Sequence, residues 1–132
     1  LVAQVYHSLG VEDEAERARR KGLSLVEERL AREPDDVRAR YLGANALVAL
    51  GEREKGLAWA RMARSMDPED PMLLYNLGCI HALAGDPEEA MDCLERAVAA
   101  GLTQRNWFLH DGDLDAVRDL PRFQALMTAM GA

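Results

Sequence analysis

PMLLYNLGCIHALAGDPEEAMDCLERAVAAGL, residues 71–102, decides the fold. Its spacing predicts one helix from about Pro71 to Ala84, a break at Gly85, and a second helix from about Pro87 to Ala100. The second start is written out: Asp86 as N-cap, Pro87 at the first helical position, and Glu89 three residues after the cap. Small residues fall where two helices must touch: Gly78, Ala82, Ala90 and Ala97. Leu74, Leu77, Ile80, Met91 and Leu94 fill the space between them. Such a pair has apolar surface on more than one side, so it needs neighbours of its own kind.

The neighbour lies one period upstream. Gly51 stands 34 residues before Gly85, and Pro34 the same distance before Pro68. Tyr41 and Tyr75, Gly56 and Ala90, and Ala63 and Ala97 repeat the offset. A 34-residue period of helix–turn–helix units resembles the tetratricopeptide repeat. Leu77, Gly78, Gly85, Ala90 and Ala97 carry the resemblance in one repeat, and Gly51, Ala60, Ala63 and Pro68 in the one before. It is strong over about 36–102 and weak over 1–35. It implies an all-α, right-handed helix–turn–helix solenoid: a divergent leading helix pair (1–35), two repeats (36–70 and 71–102) and a helical cap (103–132).

The punctuation between repeats is used twice. Pro34-Asp35-Asp36 ends one helix and caps a helix over about 36–50; Asp67-Pro68-Glu69-Asp70-Pro71 ends a helix over about 53–66 and caps the next. Upstream, residues 1–10 read as the end of a helix stopped by Gly10, with Val2, Val5, Tyr6 and Leu9 as its stripe. Residues 12–33 read as one long helix buried along Leu23, Val26 and Leu30. Arg17 stands where the repeat phase wants a turn glycine, and Arg29 where it wants a small residue.

After Leu102 the period stops. The tail predicts a helix from Thr103 to about His110, a turn at Asp111-Gly112-Asp113, a helical turn near 114–118, and a last helix from Pro121 to about Met130. A solenoid's last repeat has an unpaired apolar face. Trp107, Phe108, Leu114, Val117, Phe123, Leu126 and Met127 suit its cover. Trp107, Asp113, Asp115, Arg118, Pro121, Arg122, Phe123 and Leu126 form a pattern that resembles the closing segment of repeat arrays in bacterial multidomain signalling proteins. That likeness implies a regulatory C-terminal module of a larger signalling protein. The chain does not begin with Met, and it is expected to start inside a longer protein.

Composition narrows the function. The chain has 132 residues, one domain's worth, 48% of them apolar and 5% aromatic. Its net charge of −7 disfavours nucleic acid and anionic membranes as partners. No apolar run approaches a membrane span, and LVAQVYHSLG lacks the basic lead of a signal peptide. The one basic cluster, Arg17, Arg19, Arg20 and Lys21, follows Glu12, Asp13, Glu14 and Glu16, and reads first as a solvated face with i,i+4 pairing. A docking patch for an acidic partner is the other reading. Cys79 and Cys93 read as reduced packing residues, which suggests a cytoplasmic setting.

No catalytic motif is present: no nucleophile elbow, Walker loop, HExxH or GxGxxG. His7, His81 and His110 form no metal-ligand pair, and Cys79 and His81, two residues apart, point to different helix faces. A zinc set of Cys79, His81, Cys93 and His110 is disfavoured, so no metal and no cofactor is expected. Asp111, Asp113 and Asp115 alternate as calcium loops do, but lack the later Gly and terminal Glu of that motif; capping and turn formation explain them better. The expectation is a non-enzymatic module that binds a protein or peptide.

The resemblance implies where. First helices line the concave face of such arrays, which places Arg38, Tyr41, Asn45, Val48, Met72, Tyr75, Asn76, Cys79 and Ala82 on the groove. Tyrosine and arginine are common anchors, and asparagine bonds an extended backbone. The tyrosines serve equally well as packing between repeats. Asn45 and Asn76 fall at asparagine positions of the clamp by which chaperone-binding repeats hold a terminal carboxylate, but its Lys and Arg are missing: His7, Leu42 and Met72 stand there. The alternative is a structural role, in which the unit packs intramolecularly or self-associates through apolar Leu1, Val2 and Val5 at its N-terminal end.

Overall fold

The computed structural model describes the backbone of residues 2–131, and side chains from Asp13 onward. The order is α1 (Val2–Arg32), α2 (Val37–Ala49), α3 (Arg53–Met66), α4 (Pro71–Leu83), α5 (Pro87–Ala99), α6 (Arg105–His110), a 3-10 turn (Gly112–Leu114) and α7 (Pro121–Gly131). There is no strand among the described residues. The chain is an all-α helix–turn–helix solenoid closed by a helical cap.

The two repeats use one grammar. Asp36 caps α2, its Oδ1 accepting from the Ala39 N–H at 3.0 Å. Asp70 caps α4, accepting from Met72 N–H at 2.9 Å and Leu73 N–H at 3.3 Å. Gly51, Gly85 and Gly101 sit at φ 89°, 76° and 115°, where a side chain would be strained. At each, two bonds close the preceding helix: Glu52 N–H to Leu47 O, Asp86 N–H to His81 O and Leu102 N–H to Ala97 O, with the glycine's own N–H bonded three residues back, to Val48 O, Ala82 O and Val98 O.

Asp86 departs from expectation. It occupies the N-cap position of α5, but its side chain caps nothing. Its Oδ2 lies instead 3.7 Å from His81 Nδ1. Its capping-box partner Glu89 also points elsewhere, toward Arg64. A cap bond needs the carboxylate over the first-turn N–H groups, and at ψ 75° the backbone is not in the extended setting of Asp36 and Asp70.

Helix pairs cross closely. A Cβ at Gly78 would sit 2.6 Å from Leu94 Cδ2, and one at Gly56 would sit 2.7 Å from Val48 Cγ2 and 3.0 Å from Ala44 O. Each crossing thus holds one glycine and one alanine, Ala44 with Gly56 and Gly78 with Ala90, with the glycine on opposite helices of the pair. Ala44, Ala60, Ala63, Leu73, Leu77, Ile80 and Cys93 form the core between repeats. Met91, Leu94, Phe108, Leu114, Val117 and Phe123 belong to a second core that joins the last repeat to the cap.

The leading segment differs from the helix pair expected of it. It is one continuous helix, Val2–Arg32, without a break at Gly10. No residue at the repeat's turn phase is able to reverse the chain, since Arg17 stands there. Glycine inside a helix costs only about 1 kcal/mol against alanine, too little to stop strong helix formers on either side. Leu23 is buried, while Val26 and Leu30 are half-buried. Arg17 pairs with Asp13 and Arg20 with Glu16 on the solvent side, as the i,i+4 spacing predicts. The stripe of Leu1, Val2, Val5, Tyr6 and Leu9, and His7, lies outside the described side chains.

Candidate interaction surface

The nine groove residues differ in their surroundings, and Ala82 is buried. Arg38 and Met72 are exposed. Tyr41 and Val48 are half-buried, each packed against the core between repeats. Asn76 is half-buried and its Nδ2 donates to Met72 O, one turn back on its own helix, at 2.8 Å. Asn45, Tyr75 and Cys79 are turned to the chain's own cap.

Tyr75 and Cys79 correct the expectation of an open groove. They are only 5% and 3% exposed. The Tyr75 hydroxyl donates to Asp111 Oδ2 at 2.8 Å, and the Cys79 thiol faces the same oxygen at 3.6 Å. Asn45 Nδ2 donates to Asp113 Oδ2 at 3.4 Å. The cause is the cap's path. The 3-10 turn lies on α4, and α6 brings Phe108 edge-on to Tyr75 at a centroid distance of 5.1 Å and Trp107 to 5.6 Å.

Asp111 is the pin of this arrangement. Its Oδ1 accepts from the Asp113 N–H at 3.0 Å, which makes the turn; its Oδ2 reaches α4; its carbonyl accepts from Arg118 Nη2 at 2.7 Å. Arg118 also donates to Phe108 O at 3.2 Å and pairs with Asp115. The expected turn-forming role of Asp111 therefore holds, but its long reach to Tyr75 was not foreseen. No local signal announces it, because the partner lies 36 residues away.

The cap's apolar set seals the end of the array. Phe108, Leu114, Val117 and Phe123 are fully buried and Met127 nearly so. Leu126 is half-buried, and Trp107 is 39% exposed, lying over the rim of Tyr75 rather than beneath the cap. Arg122 bridges α7 to α5, with Asp92 at 2.8 Å and both carboxylate oxygens of Glu95 at 2.8 and 3.1 Å. Exposed as it is, this pairing directs the docking more than it stabilises it.

The electrostatics suit packing rather than chemistry. Burial first, then the charge on Asp111, pushes the Cys79 thiol well above the usual thiol range. Burial also pushes the Tyr75 hydroxyl up. Cys93 is pushed up to about 11, again by burial. Neither thiol is an activated nucleophile. Burial and the neighbouring Asp111 carboxylate raise Asp113 above its ordinary value.

What remains open is a rim. Met72 stands one helical turn before Tyr75 and Asn76, and a shallow recess lined by Tyr75, Asn106, Trp107, His110 and Asp111 opens beside it. Leu42 and Met72 are 46% and 42% exposed. Trp59, not singled out in the sequence, packs its ring over Gly43 between α1, α2 and α3, with Arg40 and Lys55 over its faces at 5.7 and 5.8 Å.

Two stacked helical hairpins at a 34-residue period, with small residues at each crossing and glycine at each turn, define a helical-repeat interaction module. Residues 71–100 match the family model of the tetratricopeptide repeat, and this α4–α5 unit is a repeat of that family. No curated protein matches the chain by sequence. Stacked repeats of this kind present extended surfaces that bind other proteins. Among the described residues, no helix is long and apolar enough to cross a membrane.

Proposed function

We propose that the chain binds an extended peptide or protein segment along the open rim of its first-helix face. Arg38, Tyr41, Met72 and Asn76 line that rim, and an apolar ligand side chain enters the recess beside Trp107. The observation that carries this reading is the exposure of Met72, one helical turn before buried Tyr75, and of Trp107, whose ring lies 5.6 Å from that of Tyr75. Large apolar groups grouped on a monomer's surface mark contact sites. Buried Tyr75 forms the floor of the recess, and Cys79 lies outside its lining. The pattern of the closing segment supports a place at the C-terminal, regulatory end of a bacterial cytoplasmic signalling protein.

A second reading has its own observation. Asn45, Tyr75 and Cys79 all face the chain's own acidic turn. That favours a structural unit whose inner face is consumed by intramolecular packing. A pull-down from source-cell lysate, read by mass spectrometry, separates the two. One bait is the native chain and the other carries Tyr41→Ala, Met72→Glu and Asn76→Ala, with folding checked by circular dichroism. Tyr75→Ala is not used, since it would unseat the cap. A protein held by the first bait and lost by the second supports rim binding; equal recovery, or none from either, supports the structural reading.

A further inference from the structure

His81 is a polar side chain enclosed by the core, 6% exposed. Among the described residues, its Nδ1 is buried and has no hydrogen-bond partner. Buried polar groups are ordinarily paired, so an orphan of this kind calls for a partner. The nearest acid, Asp86, stops at 3.7 Å. A simple packing role for the ring leaves that nitrogen unexplained.

The surroundings supply what is missing. Glu89 and Cys93 lie four residues apart on α5, hence on one face, and His81 meets that face across the crossing. One nitrogen of His81, one carboxylate oxygen of Glu89 and Cys93 Sγ lie within 4.8 Å of one another. The crossing itself is fixed by Gly78 against Leu94 and by the turn at Gly85. The groups facing the ring from neighbouring elements are Asp86 in the turn and Arg61 and Arg64 of α3. Arg64 Nη1 stands 3.6 Å from Cys93 Sγ and 3.8 Å from Glu89 Oε2. A cation already faces the sulfur and the carboxylate.

We propose that His81, Glu89 and Cys93 form a binding site for a zinc-class divalent transition metal, with water as fourth ligand. Nitrogen, oxygen and sulfur donors in one set suit zinc or cobalt rather than calcium or magnesium. Metal–ligand bonds of about 2.0–2.3 Å require the donors to close in on the ion. The Glu89 side chain, 50% exposed, has the freedom to do so and gives the ion its way in. Arg64, 31% exposed, swings outward as the ion enters. On binding, the Cys93 thiol releases its proton to solvent and the thiolate bonds the metal. The site lies between α4 and α5 on the side of α3, apart from the rim.

Titration of the purified, reduced chain with cobalt(II) tests this directly. One equivalent is expected to give a thiolate-to-cobalt charge-transfer band in the near ultraviolet, which zinc displaces. Zinc is expected to raise the melting temperature. Cys93→Ser should abolish the band, and Cys79→Ala should leave it intact. Glu89→Gln, at the surface and harmless to folding, should weaken zinc binding by at least the ~10–100-fold that loss of a supporting partner costs. It decides the matter even if Cys93→Ser fails to fold. No band in the native chain, unchanged affinity in Glu89→Gln, or dependence on Cys79 instead would overturn the proposal.

Discussion

The α2–α3 and α4–α5 hairpins share a period, a cap residue and a turn glycine, yet they end in opposite circumstances. Nine of the thirteen residues of α4 are buried, against four of thirteen in α2. Both helices have neighbours on the hairpin side. The cap is laid across the inner face of α4, where Asp111 receives Tyr75 and Phe108 meets its ring, and it reaches α2 through the bond from Asn45 to Asp113. The local grammar sets where helices start, turn and cross; which faces become surface is decided by what the chain does 30 residues later. A repeat position therefore does not carry a function with it. Tyr41 and Tyr75 are equivalent by period, but one borders solvent and the other is a structural hydrogen-bond donor.

The largest break in this asymmetry should come from Phe108→Ala. The ring is fully buried between α4 and α7, and its loss is expected to destabilise the chain by about 3–5 kcal/mol in urea denaturation. The nearest counterpart at the other hairpin, Tyr41→Ala, should cost clearly less, because that side chain is half-exposed.

The crossing glycines sharpen the comparison at the next scale. Alanine is expected to destabilise at both, since overpacking costs about 1–3 kcal/mol. Gly56→Ala should be worse than Gly78→Ala, because it meets the backbone oxygen of Ala44 at 3.0 Å, whereas the nearest backbone at Gly78, Ala90 O, lies at 3.3 Å and the closer contacts belong to the Leu94 side chain. Thermal melts of the two variants give the order.

The three aspartates at helix starts come next. Asp70→Ala should cost about 1 kcal/mol, since two N–H groups lose their acceptor, and Asp36→Ala a similar amount. Asp86→Ala should cost less than either, as its carboxylate caps nothing. Equal losses at all three would show that Asp86 caps α5 in solution.

The smallest effect is a pH dependence. The folded state raises Asp113, so it favours the protonated form. Its contribution to stability is therefore fully present below the ordinary aspartate range and is lost as pH rises through the raised value. Asp113→Asn should remove that dependence, and should favour the fold at neutral pH relative to acid. Urea melts of both chains across the acidic range are the check.

Much of the fold was legible because its signals are local. Proline, aspartate and glycine at fixed offsets mark every boundary from Pro34 to Gly101, and the helices follow them within a residue or so. The leading segment misled because phase was inferred where the turn residue was absent: Gly10 alone does not end a helix, and α1 runs through it. The candidate site was legible as positions but not as exposure. Met72 and Arg38 face solvent, while Tyr75 and Cys79 do not, since their cover comes from Asp111 and Phe108. His81, Glu89 and Cys93 were each visible, but their meeting depends on the crossing of two helices and on no motif.

Cysteine labelling tests the seal over α4 most directly. The native chain would be exposed to a small alkylating reagent under folding conditions, and modification at Cys79 and Cys93 followed separately by mass spectrometry. Both thiols are buried, so a sealed face predicts that Cys79 reacts as slowly as Cys93, at the rate of global unfolding, and that Phe108→Ala accelerates Cys79 more than it accelerates Cys93. Fast labelling of Cys79 in the native chain while Cys93 stays protected would contradict it, and would return the whole inner face of α4 to an incoming ligand.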